Sequence, residues 1–260
     1  MYPNAEQTYV ALMYRASSYY ATWDPIRPIT LGDYGYIRNN YSFEKEGNIF
    51  NDRLAEEFDI SIVDGGEDSE RWIVSVATKE QTLSVNIGVP KATIKKSFSI
   101  TRSCGAILAM LRPRHQSLTG PLRDLIYSTA FTDERVLVSE VYSCSSYARL
   151  LVPRQKGSVE ISLDITESQA HILHGTVEGK WRTSAESGDF KFLHEREQAD
   201  YKARPLVRLL GRSRGRWGKK RPVETLPPPA WRRIAMRHVR GCGLDEGFDG
   251  EESDYDDVML

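Results

Sequence analysis

Apolar residues recurring at every second position constrain this chain more than any other feature of it. Trp72, Val74 and Val76 alternate with polar or small neighbours, as do Leu83, Val85, Ile87 and Val89, and again Val159, Ile161, Leu163 and Ile165. A period of two puts each set on one face of an extended backbone, so each block predicts a β-strand with one buried face and one wet face. Ile94, Phe98 and Ile100 continue the theme after Pro90, and Val136, Val138 and Val141 predict a buried strand. Residues 171–181 predict another, broken at Gly175 and Gly179, and Phe190 and Phe192 follow it.

Helical signals are fewer. Val10, Met13, Tyr14 and Ser17 have helical spacing and predict an amphipathic helix over residues 5–20, stopped by Asp24-Pro25 and Arg27-Pro28. Gly120-Pro121 opens a helix over 120–128 that carries Leu122, Leu125 and Ile126, and 52–58 predicts a short one. Residues 31–37 predict a strand interrupted by glycine, with Asn39, Asn40 and Gly47 supplying turns around a hairpin, while 64–68 (Asp-Gly-Gly-Glu-Asp) predicts a polar loop. Strand and helix do not alternate, which argues against a doubly wound nucleotide fold. The expected class is α+β: an N-terminal amphipathic helix, an extended twisted antiparallel sheet with few helices, and a basic then acidic C-terminal tail.

That tail carries a reversal of charge. Residues 202–240 hold thirteen Lys or Arg and one acid, Glu224, for a net +12, whereas 241–260 hold eight Asp or Glu and no base, for a net −8. Like-charge blocks mark interaction segments, and opposite blocks in one chain compete with an external polyanion for the basic one. The basic arm suits nucleic-acid phosphates and acidic lipid headgroups equally. Residues 231–240 predict a short basic amphipathic helix, able to meet a membrane or the chain's own core. Elsewhere the 40% hydrophobic and 27% charged composition is that of a soluble globular chain, and no apolar run approaches the roughly 18 residues of a membrane helix. The first residues lack the basic-then-apolar pattern of a secretory signal, which predicts a cytoplasmic location.

Catalytic patterns are poorly supported. Gly211, Ser213 and Gly215 satisfy G-x-S-x-G, but Gly218, Pro222 and the Pro227-Pro228-Pro229 run break the helix that a nucleophile elbow needs. His171 and His174 lie three apart in a stretch that reads as strand, where they would face opposite sides, and Cys104, Cys144 and Cys242 are too scattered for a zinc site or disulfide framework. Carboxylate pairs such as Glu56-Glu57 sit in polar stretches, and no phosphate loop is present. The expectation is a non-enzymatic protein with no metal and no cofactor.

In order, the strands resemble the pore-forming domain of the gasdermins, and the short fungal gasdermin-like proteins above all. Residues 133–142 (D-E-R-V-L-V-S-E-V-Y) are similar to the family strand reading roughly V-x-V-V-T-E-V; they follow the helix at 122–128 and precede the alternating strand at 158–165. Arg204 to Leu210 (R-P-L-V-R-L-L) is similar to the last strand before the family's linker. Two departures stand out: there is no cysteine near the N-terminus, and no large inhibitory domain.

The resemblance implies a pore-forming domain over 1–210 and a linker with an inhibitory tail over 211–260. It implies that a partner protease cuts in the arm or tail, releasing a chain that binds acidic phospholipid and assembles as a homo-oligomer into a membrane β-barrel, causing regulated cell death. Its location is then cytoplasmic when inactive and the cell membrane when activated. Candidate spanning segments are 72–98 and 136–165. Arg15, Lys95, Lys96, Arg212, Arg214, Arg216, Lys219, Lys220 and Arg221 become the membrane-contact residues. Asp245, Glu246, Asp249, Glu251, Glu252, Asp254, Asp256 and Asp257 become the inhibitory tail. The alternative is a nucleic-acid or protein interaction module that uses the basic arm over 202–240.

Overall fold

The structure, a computed structural model, describes residues 5–38, 42–81, 93–101, 104–131, 134–153, 157–168, 176–194, 201–212 and 224–225. In chain order the elements begin with α1 (Ala5–Ser17), β1 (Tyr20–Ala21), β2 (Asp33–Arg38), β3 (Ser42–Asn48) and α2 (Leu54–Glu57). Next come β4 (Ser61–Glu67), β5 (Glu70–Val74), β6 (Thr78–Gln81), β7 (Thr93–Ile100), β8 (Cys104–Leu111), β9 (Arg114–Thr119) and α3 (Leu122–Tyr127). The remainder are β10 (Val136–Cys144), β11 (Ser146–Pro153), β12 (Gly157–Ser168), β13 (Thr176–Thr183), β14 (Asp189–His194), β15 (Ala203–Gly211) and β16 (Glu224–Thr225). This is an α+β fold of antiparallel strands with few helices, as the sequence predicts.

Three sheets are formed. An eight-stranded sheet runs β1-β15-β10-β2-β3, with β16 on β15 and with β9 joining β10 to β4. Two four-stranded sheets run β14-β11-β8-β5 and β13-β12-β7-β6. The two orders match position by position: β5 continues into β6, β7 into β8, β11 into β12 and β13 into β14. They are therefore two halves of one antiparallel sheet that bends over on itself, here called the inner half (β14-β11-β8-β5) and the outer half (β13-β12-β7-β6).

The fold-over buries one apolar face between the halves. Phe98, Ile100, Val159, Ile161, Leu163 and Trp181 from the outer half meet Ile107, Ala109, Ala148, Leu150 and Val152 from the inner half. Each such side chain fully buried contributes about 1.5–3 kcal/mol. On its opposite face the inner half packs Ala106, Leu108, Met110, Tyr147 and Leu151 against Tyr9, Leu12 and Met13 of α1 and against Tyr142, Cys144 and Leu206 of the eight-stranded sheet. Being buried on both faces, β8 and β11 carry near-continuous apolar runs without the period-two signature, the pattern expected of such strands.

The helix at the N-terminus is enclosed more fully than an amphipathic surface helix. Residues 8–13 are all buried, because Val10 reaches the core around β10 and β15 while Tyr9, Leu12 and Met13 face the inner half. It ends at Ser17, ahead of the predicted residue 20, where Ser18 turns to a φ of 61°.

Two sequence expectations are corrected. The polar stretch 64–68 is not a loop through most of its length, since 64–67 belong to β4, exposed but paired to β9 and clamped by Arg114 on Asp64 and Arg112 on Glu67 (2.6 Å). Gly47 is not a turn residue but sits within β3 opposite Tyr34, where a Cβ would come 2.4 Å from the tyrosine oxygen. The predicted strand at 83–89 and the first part of the one at 171–181 lie outside the described residues.

The bend itself makes demands on the backbone. At the β13–β14 corner Gly188 has a φ of 139°, and a Cβ there would lie 2.5 Å from the Leu151 carbonyl oxygen. At the opposite corner Ser75 accepts the Ala106 amide on its hydroxyl (3.0 Å) and bonds the Thr78 hydroxyl (2.9 Å), tying the β5–β6 turn to β8. Gly188→Val is expected to lower the unfolding free energy in urea by about 3 kcal/mol, the sum of backbone strain and a clash with main chain. Gly66→Ala, at a φ of 87° with no atom within 4 Å of the added carbon, is expected to lose only about 1 kcal/mol. Equal losses at the two positions would contradict the corner's role.

Candidate functional site

The outer half presents two chemically opposite faces. Its inner face carries the apolar layer just described together with Glu80 and Lys96, whereas its outer face carries Lys79, Gln81, Lys95, Ser97, Ser158, Glu160, Ser162 and Arg182. The Ser97 and Ser158 hydroxyls lie 3.1 Å apart and 3.3 and 3.1 Å from the Gln81 side-chain oxygen Oε1, so their two protons serve a three-membered polar cluster across β6, β7 and β12. Trp181 spans the halves: its indole N–H donates to the Ser146 hydroxyl at 2.9 Å, while its ring packs edge-on against Trp72.

The cations singled out from the sequence are distributed unevenly. Arg15 is exposed in the last turn of α1. Lys95 lies on the outer face and pairs with Glu160 at 2.9 Å. Lys96 points the other way: it sits 3.1 Å from Glu80 and 3.5 Å from Glu70, above the Trp72 ring, and so bridges the two halves. Arg212 donates to the carbonyls of Ile126 and Ser128, each at 2.7 Å, and so serves as a side-chain cap for the end of α3. Arg214, Arg216, Lys219, Lys220 and Arg221, together with Asp245, Glu246, Asp249, Glu251, Glu252, Asp254, Asp256 and Asp257, lie outside the described residues, as do Ser213, Cys242 and His238.

The arm therefore begins later than its charge pattern suggests. Residues 203–211 are strand β15, and Arg208 within it is committed to Glu140. Glu140 is the glutamate of the V-S-E-V stretch and acts as a hub. Its carboxylate accepts the Tyr19 hydroxyl at 2.5 Å and the Arg208 guanidinium at 2.6 Å, and lies 3.2 Å from His115 Nε2. Arg208 stacks on Tyr19, and His115 stacks on Tyr142, whose ring also meets Arg71. Burial and the bond to Glu140 push the Tyr19 phenol well above its ordinary value. A bulge between Val138 and Glu140 in the β10–β15 ladder sets the register of this cluster.

A second polar cluster pins the N-terminal segment to the bent sheet. Arg149 of β11 is 3% exposed and its guanidinium lies 3.6 Å from the Trp23 ring centroid. Its Nη1 is 2.8 Å from Asp189 but out of line for a hydrogen bond, so charge and stacking hold the pair. Beside it Lys191 donates to Asp24 at 2.8 Å, which holds the Asp24 carboxyl below its usual range. Neither cluster was visible in the sequence, because each draws its members from segments far apart in the chain.

Among the described residues no group of three or more His, Cys, Asp or Glu is placed to hold a metal ion, and Cys104 and Cys144 are free and buried. Burial pushes the Cys144 thiol up to about 12. No described helix is long and apolar enough to cross a membrane. No protein-family model, curated protein or solved structure matches this chain.

Glu140 is the residue whose loss should be felt most widely. Glu140→Ala is expected to lower unfolding stability by about 2–4 kcal/mol, because Arg208, Tyr19 and His115 lose a shared, largely buried acceptor. Glu140→Gln, which keeps an acceptor oxygen, should lose less. Urea denaturation of the two variants checks the order, and a neutral Glu140→Ala would remove the hub from the account.

Proposed function

We propose that this chain is a gasdermin-like pore-forming protein, held inactive by its acidic tail and released by proteolysis. The single observation that carries the reading is the bent sheet. Beyond the corners its outer half consists of two antiparallel hairpins, β6–β7 and β12–β13, side by side through the β7–β12 ladder. In β12 one face carries Val159, Ile161 and Leu163 and the other Ser158, Glu160 and Ser162, the alternation that a barrel wall between lipid and water requires, while in β6–β7 the face with Phe98 and Ile100 also carries Lys96 and Glu80. β7 and β13 are eight residues long and β12 is twelve, close to the roughly 9–11 residues with which a tilted strand crosses a bilayer, while β6 is four residues long as far as it is described.

Unbending at the corners would turn the face now buried against the inner half toward lipid. β6 and β13 are the edge strands of the outer half, and only a closed ring of such edges satisfies strand backbones inside a membrane. Pairing the β6 edge of one copy with the β13 edge of the next gives a head-to-tail oligomer. The second spanning hairpin of this reading is thus 157–183, not 136–165, since β10 is a central strand of the eight-stranded sheet. Family resemblance in strand order and in the V-S-E-V stretch supports the reading independently.

Acidic phospholipid is the membrane chemistry that Arg15, Lys95 and the cations of 214–221 would meet, each contributing about 1 kcal/mol near an anionic leaflet. Lys95 is paired with Glu160 in the bent state, and Lys96 and Arg212 hold the fold together. An inactive chain would accordingly be cytoplasmic and the cleaved one membrane-bound. The nucleic-acid or protein-interaction alternative is weakened by the same geometry, because Arg208 and Arg212 of the supposed arm are spent inside the fold.

Dye release from vesicles tests the reading. Chain cleaved between residues 220 and 240 should empty vesicles containing acidic phospholipid, uncut chain should release little, and neutral vesicles should stay intact. If no cut form leaks any vesicle while the full chain retards duplex or single-stranded nucleic acid at low salt, the interaction-module reading replaces this one.

A further inference from the structure

An open groove of about 660 Å³ runs between the 24–31 segment, β4, β9, β10 and the start of β15. That volume lies within the range of ligand-binding clefts. Arg114, Lys202 and Arg204 line it, together with the apolar side chains Ile26, Ile62 and Val141, and its lining contains no Asp or Glu. Ile26 and Ile62 are each about half exposed, at 48% and 49%.

The acids nearest the groove are already committed. Arg114 holds Asp64, Arg112 holds Glu67, and Lys45 lies 2.7 Å from the fully buried Asp33, which also accepts from Asn48 and Thr30. Arg204 is left with a single long contact, from its Nη1 to the Lys202 carbonyl at 3.5 Å, and no carboxylate within ion-pair distance among the described residues. It is half-buried, so its charge is partly stripped of water, and the one carboxylate whose field reaches it, Asp33, is already bonded to Lys45, Asn48 and Thr30. A guanidinium in that position, beside Lys202 and an apolar wall, is matched by an acidic peptide with apolar residues between its carboxylates.

The chain carries such a peptide. Its last twenty residues combine eight acids and no base with Leu244, Phe248, Tyr255 and Val258. Reach is sufficient. Thr225 pairs with Leu210 on β15, and Arg204 lies six residues back along the same strand, about 20 Å away. The twenty residue steps from Thr225 to Asp245 span up to about 65 Å when extended.

We propose that the acidic segment 245–257 docks in this groove, its carboxylates on Arg204 and Lys202 and its apolar residues against Ile26 and Ile62. This names the seat of the latch, and rests on that part of the reading above but not on pore formation. The segment then restrains the folded domain directly, rather than only masking the arm beside it in sequence.

Carbodiimide cross-linking of the full-length chain tests it, because the reagent joins a lysine ammonium to a carboxylate only within ion-pair reach. An equal mixture of ¹⁵N-labelled and unlabelled chain separates links within one molecule from links between two. The expected product is Lys202 joined to acids of 245–257 within one isotopic species, reduced about tenfold in 1 M NaCl, where the screening length falls to about 3 Å. Arg204→Gln should reduce the link at least about fivefold, while Arg204→Lys, which keeps the charge, should retain it. Tail links confined to Lys219 and Lys220, links only between isotopic species, or absence of any Lys202 link would each overturn the docking, whatever the vesicles do.

Discussion

The bent shape of this fold depends on one apolar layer, the face that a four-stranded antiparallel sheet buries by bending over on itself. Phe98, Val159, Ile161, Leu163 and Trp181 find their partners in Ile107, Ala148, Leu150 and Val152 of the same strands' other halves. Once the halves are closed, the inner half has a second face to cover, and α1 with the eight-stranded sheet covers it. The order of assembly in space follows from that layer: outer half, inner half, helix, large sheet. Closure also positions the polar elements, since Lys96 reaches Glu70 and Glu80 across the bend and Arg149 is drawn beneath Trp23.

The same layer distinguishes the two halves energetically. The inner half is enclosed on both faces and its ladder bonds are shielded from water. The outer half is enclosed on one face only, and its other face is a plane of Ser, Lys, Gln and Glu that interacts with solvent. Low burial and exposed ladder hydrogen bonds are the features of segments that open first. Opening of the outer half leaves the inner half with its contacts to α1 intact, so a change of shape there need not dissolve the rest. A pore-forming chain needs that separation, and a rigid binding module does not.

How much of this the sequence disclosed follows from the number of faces each strand buries. β5, β7 and β12, and the helices at α1 and α3, have residues at period two or at helical spacing and are legible for that reason, while β10, buried on both faces, is legible through its run of valines at 136, 138 and 141. β8 and β11 bury both faces, so C-G-A-I-L-A-M-L at 104–111 shows no alternation and escapes a pattern search. β4 fails in the opposite sense: all seven of its residues are exposed, and only pairing to β9 and the arginine clamps on Asp64 and Glu67 make D-G-G-E a strand. Among the candidate site residues, Lys95 and Lys96 are neighbours in sequence with opposite fates, one on the wet face and one bridging the bend. Arg212 looks like the first cation of a free arm until α3 presents it with two carbonyls. The Glu140 hub and the Arg149 pair were beyond reach, because their members converge only after β9, β10, β11, β14, β15 and the segments flanking β1 have been brought together.

Native-state hydrogen exchange read by mass spectrometry tests the central claim most directly, by asking whether the outer half opens as a unit while the inner half stays closed. Peptides over residues 93–100 and 157–163 should exchange together, with a lower opening free energy than peptides over 104–111 and 146–152, and with the difference abolished by denaturant near global unfolding. Equal protection of both sets, opening only with the whole molecule, would contradict a bent sheet whose outer half is a separable element.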